Sequence, residues 1–290
     1  MASALWEIAA AREAEALIIE VGIKALPVCP FAIARELDID VRPLPGTRRG
    51  VSGMLLHVNG TFGIAYATYL DNDGFKHFSV GHEIGHYRLP GHPESVLRNG
   101  AHTSYAGFVS KDRYELEADH FSAALLMPGR LFDSAMDKAG RGLDAIDAVS
   151  GQCITSLTAT AIRYAQRTSD AAAIVVSSGQ SIDYCFMSES LREVRGLDWI
   201  RKGSVVPRSS VTSGFNADPA NIARGERADG ESTLQDWFGG DLEVELTEEV
   251  VGLGAYGKTL TVLTAPELPD AEGIEIEEEL TESWTPRFRR

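Results

Sequence analysis

Residues 78–87 read Phe-Ser-Val-Gly-His-Glu-Ile-Gly-His-Tyr, and this stretch contains the most informative motif of the chain. His82 and His86 are four positions apart, so on a helix of 3.6 residues per turn both imidazoles lie on one face. Two neutral imidazoles placed in this way can bind one Zn²⁺ at about 2.0–2.1 Å each. The apolar residues among them predict a helix packed into a core, where histidine and glutamate side chains are uncommon unless they serve a purpose.

Glu83 follows the first histidine and completes the pattern HExxH, which is typical of zinc peptidases. In that pattern the glutamate is the candidate general base for the attacking water. The turn at residues 71–74 predicts the start of this helix, and residues 89–91, Leu-Pro-Gly, predict its end. Gly81 and Gly85 each cost about 1 kcal/mol of helix propensity relative to alanine, which predicts that another segment approaches closely there.

Two histidines leave a catalytic zinc one protein ligand short, because such sites usually have three ligands and a water. The best source is a predicted helix over residues 111–127, with Ser110 as its N-cap. Glu115 and Asp119 share one face of this helix, so we assign Glu115 as the third ligand. Asp119 is then predicted to accept the N–H of a ligating histidine. Glu117 points to another side and is the second choice of ligand.

The group that stabilises the oxyanion stays open at the level of sequence. The candidates are His92, His102, Tyr105 and Tyr114. Residues 92–110 are polar and predict an irregular loop, which beside a metal site favours a role as a lid. His120 is predicted to be structural.

Taken together, these motifs resemble the ImmA/IrrE family of zinc metallopeptidases. The resemblance spans about residues 10–130 and is carried by residues 27–34, 82–86 and 115–128. It implies a zincin-like, gluzincin-like metalloendopeptidase with His82, His86 and Glu115 as ligands and Glu83 as the base. It also implies cleavage of one protein partner, a helix-turn-helix repressor or an antitoxin, in stress responses, transcription regulation or the induction of mobile elements.

The remaining sequence predicts an α+β protein of two domains. Residues 1–168 form the predicted metallopeptidase domain, in which Asn59-Gly60 marks a hairpin over residues 51–66 and residues 143–167 form a helical extension. Residues 171–266 predict a mainly antiparallel β domain with strands at 173–176, 182–186, 242–246 and 260–263, a sensor or partner-binding region that the resemblance suggests is GAF-like. Residues 267–290 are predicted to be a tail.

The composition limits the other functions that the chain could have. A net charge of −15 argues against direct nucleic-acid binding, and no apolar run approaches the roughly 20 residues that span a bilayer. Three widely spaced cysteines predict reduced thiols and a cytoplasmic location. The ligand set admits Mn²⁺ as well as Zn²⁺. The alternative function is a non-proteolytic regulatory binding protein whose metal helix is structural.

Overall fold

The chain divides into two compact units, Met1–Arg167 and Thr168–Arg290. The computed structural model describes residues 2–44, 50–105, 112–242 and 244–265. Each unit combines helices with one sheet, so the predicted α+β class is confirmed. The predicted tail, residues 267–290, lies outside the described residues.

The first unit contains eight described helices and four described strands. In chain order they are α1 (Ala2–Glu20), α2 (Pro30–Glu36), β1 (Asp40–Leu44), β2 (Val51–Val58), β3 (Thr61–Ala67), α3 (Asp73–Arg88), α4 (His92–Val96), β4 (Ala101–Tyr105), α5 (Arg113–Leu126), α6 (Gly129–Ala139), α7 (Gly142–Cys153) and α8 (Leu157–Arg167).

The sheet of the first unit has the order β1-β3-β2-β4. β1 pairs with β3 in parallel, and β2 pairs with β3 and β4 antiparallel. Asn59 and Gly60 both have positive φ, 51° and 81°, as a type I′ turn requires, and the hairpin predicted around them is confirmed. Among the described strands, β4 is therefore at one edge of the sheet.

Helices α3 and α5 pack closely, and two glycines of α3 permit this contact. A Cβ at Gly81 would lie 2.6 Å from Ser122 Oγ of α5, and one at Gly85 would lie 3.1 Å from Phe121 Cδ1. Real Cβ contacts this short are essentially absent or rare, so the close approach that the two glycines predict is confirmed. The hydrophobic core of the unit lies around this contact and includes Val80, Ile84, Phe121 and Leu125.

Two expectations for the first unit need correction. Residues 92–110 are not one irregular loop, because α4 and β4 lie within the described part of that stretch. The second ligand helix begins at Arg113, and its N-cap is Asp112, whose side chain accepts from Tyr114 N; Ser110 lies outside the described residues. Helix α5 ends at Leu126, and a further helix, α6, begins at Gly129 with Pro128 as its N-cap.

The second unit is built on a five-stranded antiparallel sheet of order β6-β5-β9-β8-β7. Its described elements are β5 (Ala171–Ser178), β6 (Ser181–Met187), α9 (Glu189–Arg192), α10 (Val211–Asn216), α11 (Pro219–Arg224), β7 (Arg227–Thr233), α12 (Leu234–Phe238), β8 (Glu245–Gly252), a 3-10 turn (Gly254–Tyr256) and β9 (Thr259–Ala265). The strand predicted at 242–246 was placed too early, since β8 runs from 245 to 252 and carries its buried valines at the end.

Candidate metal centre

Helix α3 presents both motif histidines to the interior of the first unit. The side chain of Asn72 caps the helix by accepting from Phe75 N at 2.8 Å. His82 and His86 are buried, and their Nε2 atoms lie 3.0 Å apart. The two imidazoles therefore direct the same ring nitrogen toward one point, as their spacing of four residues predicts.

Glu115 of α5 reaches the same point from the opposite helix. Its Oε2 lies 3.4 Å from His82 Nε2, and its Oε1 lies 3.3 Å from His86 Nε2. One ligand atom from each of the three side chains lies within 4.8 Å of the other two. Two imidazoles and one carboxylate are a donor set that suits zinc, so the arrangement can hold a divalent metal ion.

Asp119 lies one turn after Glu115 and contacts His82 at Nδ1, the ring nitrogen that does not face Glu115. Its Oδ1 is 2.9 Å from His82 Nδ1. Because a carboxylate only accepts, this contact places the proton on Nδ1 and leaves the Nε2 lone pair for a metal. The structure thus puts Asp119 where the sequence analysis predicted an acceptor.

The protonation of the two histidines differs in the metal-free site. Burial disfavours the charged form of His82, but hydrogen bonds to Asp119 and Glu115 outweigh it and raise the pKa to about 10. Burial lowers the pKa of His86 to about 3 despite its contact with Glu115. Burial also acts on Glu115, yet hydrogen bonds to the neighbouring histidines hold its pKa far below the ordinary range. In the metal-free cluster His82 is therefore an imidazolium with a second proton on Nε2, and Glu115 is negatively charged, so metal binding has to displace that second proton.

Glu83 is fully buried, and neither carboxylate oxygen has a hydrogen-bond partner among the described residues. Burial raises its pKa to about 7, against the opposing influence of the imidazole of His82. Space for the carboxylate exists because residue 53 of β2 is glycine, since a Cβ there would lie 2.7 Å from Glu83 Oε1. A buried carboxylate with no partner fits a site whose remaining participants, a metal ion and a water, are supplied from outside the chain.

The oxyanion candidates separate clearly by position. His102 of β4 lies in the cluster, with its Nε2 2.8 Å from Glu115 Oε1. The hydroxyl of Tyr114 instead accepts from Ser95 Oγ, and Tyr105 is largely exposed. His120 contacts Trp6 edge-on, in keeping with a structural role.

Two more buried groups lie behind His86. His92 Nδ1 is 3.1 Å from His86 Nδ1, and His92 Nε2 is 2.8 Å from Glu117 Oε2. Glu117, the second choice of ligand, thus lies on the far side of His92. The side chains that converge on one point, among the described residues, are Glu115 and the two motif histidines. Sequence reasoning named His92 and Glu117 but did not connect them.

Comparison with known proteins gives an independent view of the fold. The chain resembles a solved structure described as a Mycobacterium tuberculosis transcriptional regulator, with a TM-score of 0.55 and 14% identity, over 88% of this chain and 74% of that one. At this identity the likeness concerns the fold alone. A comparison with curated protein sequences found no match.

The sequence of the first unit also matches a family model. Residues 34–149 match the model described as the IrrE N-terminal-like domain, Peptidase_M78. This stretch contains His82, Glu83, His86 and Glu115, and the family supports a metallopeptidase type of enzyme. The resemblance to the ImmA/IrrE family is therefore confirmed, through the IrrE N-terminal-like domain that residues 34–149 match.

Proposed function

We propose that this chain is a zinc-dependent endopeptidase that hydrolyses a peptide bond in one protein partner. The observation that carries the proposal is the convergence of His82, His86 and Glu115 beside Glu83, a buried carboxylate without a partner among the described residues. A structural metal site would have no need for that carboxylate. Zn²⁺ is proposed as the metal and Mn²⁺ as a possible substitute, because both accept this donor set.

The roles of the side chains follow from their positions. When bound, the metal ion supplies a Lewis acid for the scissile carbonyl and for the attacking water. Glu83 takes the proton of that water, and the raised pKa of its carboxyl group, about 7, suits a group that accepts a proton and returns it to the leaving amine. His102 is the oxyanion candidate that the geometry favours, since it is the one placed in the ligand cluster.

The edge strand β4 offers a way to hold the substrate. His102 and Ser104 lie on this strand, and Ser104 pairs with Gly53, the residue whose missing side chain leaves room for the Glu83 carboxylate. β4 thus pairs with β2 on one side, and no described strand covers its outer edge. We propose that an extended peptide pairs with this edge and brings its scissile bond to the metal.

The partner is proposed from the resemblance to be a helix-turn-helix repressor or an antitoxin, and the reaction to act in stress response or transcription regulation. The likeness to a structure described as a transcriptional regulator is compatible with such a role. The second unit is proposed to be a GAF-like sensor or partner-binding domain. Its surface includes a cleft of about 240 Å³ beside α12, lined by Trp199, Trp237 and Asp198.

The state of the cysteines bears on where the reaction takes place. Cys29, Cys153 and Cys185 are all unpaired, which supports the proposal of a cytoplasmic location. In the part of the chain that the structure describes, none of the helices combines the length and the apolar character that a membrane crossing requires.

The test compares wild type with Glu83→Gln, incubated with zinc and with any helix-turn-helix protein that is encoded beside the gene. Wild type is expected to cleave the partner at one bond, seen by mass spectrometry, while the variant binds zinc and leaves the partner intact. The second candidate function is a non-proteolytic regulator that acts by binding and whose metal helix is structural, which is compatible with the fold likeness to a structure described as a transcriptional regulator. Binding of the partner by zinc-loaded wild type without any cleavage would favour that second function.

A further inference from the structure

A line of buried side chains leads away from the proposed ligand His86 on the side opposite the metal. His92 is the first residue of α4 and follows the end of α3 through Gly91, whose φ of 79° lets the chain turn back. This turn returns His92 to His86, with the two Nδ1 atoms 3.1 Å apart. Both imidazoles are completely buried.

The line ends on a carboxylate. His92 Nε2 lies 2.8 Å from Glu117 Oε2, and Glu117 is only 8% exposed. The other carboxylate oxygen, Oε1, accepts from Arg113 Nε at 2.5 Å, one turn earlier on α5. Arg113 therefore holds the carboxylate so that Oε2 points at His92.

The contacts allow one consistent placement of protons. His86 directs Nε2 toward Glu115 and His82, so a metal there needs the Nε2 lone pair and leaves the proton of His86 on Nδ1. That N–H donates to His92 Nδ1, which must then be an acceptor. The proton of His92 is consequently on Nε2, where it donates to Glu117.

We propose that His92 and Glu117 are positioning residues that hold His86 in the tautomer and ring orientation required for metal binding. The inference rests on the proposed function and extends it, because it assigns a role to two groups outside the motif. The two ligating histidines are then supported in different ways. His82 contacts the carboxylate of Asp119 directly, whereas His86 is connected to the carboxylate of Glu117 through a second imidazole. Such outer contacts typically contribute 10–100-fold to metal affinity.

The test measures the zinc dissociation constant by competition with a chelator. Glu117→Gln leaves a single acceptor oxygen for two donors, Arg113 Nε and His92 Nε2, and removes the charge, and we expect affinity to fall about tenfold. His92→Leu leaves the Nδ1–H of His86 buried without an acceptor, and we expect a loss toward 100-fold. Glu94→Gln removes the same charge from the exposed surface of α4 and is expected to leave the affinity unchanged.

A second measurement does not depend on affinity or activity. Long-range proton–nitrogen NMR of the zinc-loaded wild type should show His86 protonated at Nδ1 and His92 protonated at Nε2. Thermal unfolding of the metal-free variants establishes that each is folded before zinc is added. If His92→Leu does not fold, Glu117→Gln together with the NMR assignment decides the question.

The possible results separate this inference from the proposed function. The positioning role alone is overturned if wild type binds zinc tightly and both Glu117→Gln and His92→Leu bind it with equal affinity. It is also overturned if zinc-loaded wild type carries the His92 proton on Nδ1. Absence of zinc binding by wild type overturns both. Loss of affinity in the two variants supports the positioning role even if no peptide is cleaved.

Discussion

Glu83→Gln is expected to stabilise the metal-free protein while it abolishes catalysis. The carboxylate is fully buried, has no hydrogen-bond partner among the described residues, and is surrounded by an environment that penalises its charge. Glutamine has nearly the same shape and carries no charge at any pH. The substitution therefore removes a cost of folding that the wild type bears for the buried carboxylate of Glu83, the proposed base.

The size of the effect follows from the pKa of Glu83, which burial raises from its ordinary value of 4.5 to about 7. At about 1.4 kcal/mol per pH unit, this corresponds to about 3 kcal/mol. The folded state holds the proton of the Glu83 carboxyl group more tightly than the unfolded state does. The contribution of this group to the free energy of unfolding is therefore fully present below pH 4.5 and is lost as the pH rises through 7. Wild type should thus become less stable over this window by a contribution that the variant lacks.

The assay is thermal unfolding of chelator-treated wild type and variant at pH 5 and pH 8. The difference in free energy of unfolding between variant and wild type should be about 2–3 kcal/mol more favourable to the variant at pH 8 than at pH 5. This corresponds to roughly 4–12 °C in Tm for a unit of this size. Titrating groups away from the cluster are common to both proteins and cancel in the difference, and the fixed cost of burying an amide is the same at both pH values. The charge of Glu83 also raises the pKa of His82, so the measured difference includes this coupling. Glu94→Gln, at an exposed position, should show no such pH-dependent gain. Equal differences at the two pH values would refute the assignment of Glu83 as a buried, unpaired carboxylate.

The remaining predictions concern the metal and two glycines. Zinc affinity should rise about tenfold per pH unit between about pH 7 and 9, because the pKa of His82 is about 10 and zinc must displace its proton. A zinc dissociation constant that does not change with pH, measured by chelator competition, would contradict this. Gly53→Ala places a methyl 2.7 Å from Glu83 Oε1, so kcat should fall at least about tenfold while the zinc dissociation constant stays within about twofold. Gly81→Ala places a methyl 2.6 Å from Ser122 Oγ of α5. The overpacking should lower the free energy of unfolding by about 1–3 kcal/mol, and the better helix propensity of alanine should offset about 1 kcal/mol of this. A Tm equal to or above that of wild type would show that α3 and α5 separate easily.

Local patterns were enough to predict the parts of the fold that depend on neighbouring residues. The hairpin at Asn59-Gly60 follows from two residues that tolerate positive φ, and the α3–α5 contact follows from Gly81 and Gly85. β7 was not predicted, because its sequence, Arg-Ala-Asp-Gly-Glu-Ser-Thr, contains almost no apolar residue. Its place in the sheet comes from pairing with β8 along its whole length, a contact that local composition does not encode.

The same division applies to the metal centre. Spacing of four residues brought together His82 with His86 and Glu115 with Asp119, since each pair shares one helix face. What spacing could not reveal is how separate segments meet. His92 reaches His86 through a turn at Gly91, and His102 reaches Glu115 from a strand that the sequence presented as a loop. The composition of residues 92–110 is polar, and polar strands at a sheet edge are hard to distinguish from loops.

The position of β4 has a consequence for which segments the proposed peptidase can cleave. A strand edge recognises a segment through its main chain, and only an extended backbone offers donors and acceptors at the matching interval. A target site within a stable helix would have to melt over several residues before it could enter. Selectivity would then depend on how readily a segment of the substrate unfolds locally. A compact, well-folded regulator would resist cleavage until a change in conditions or in its binding partners destabilised that segment.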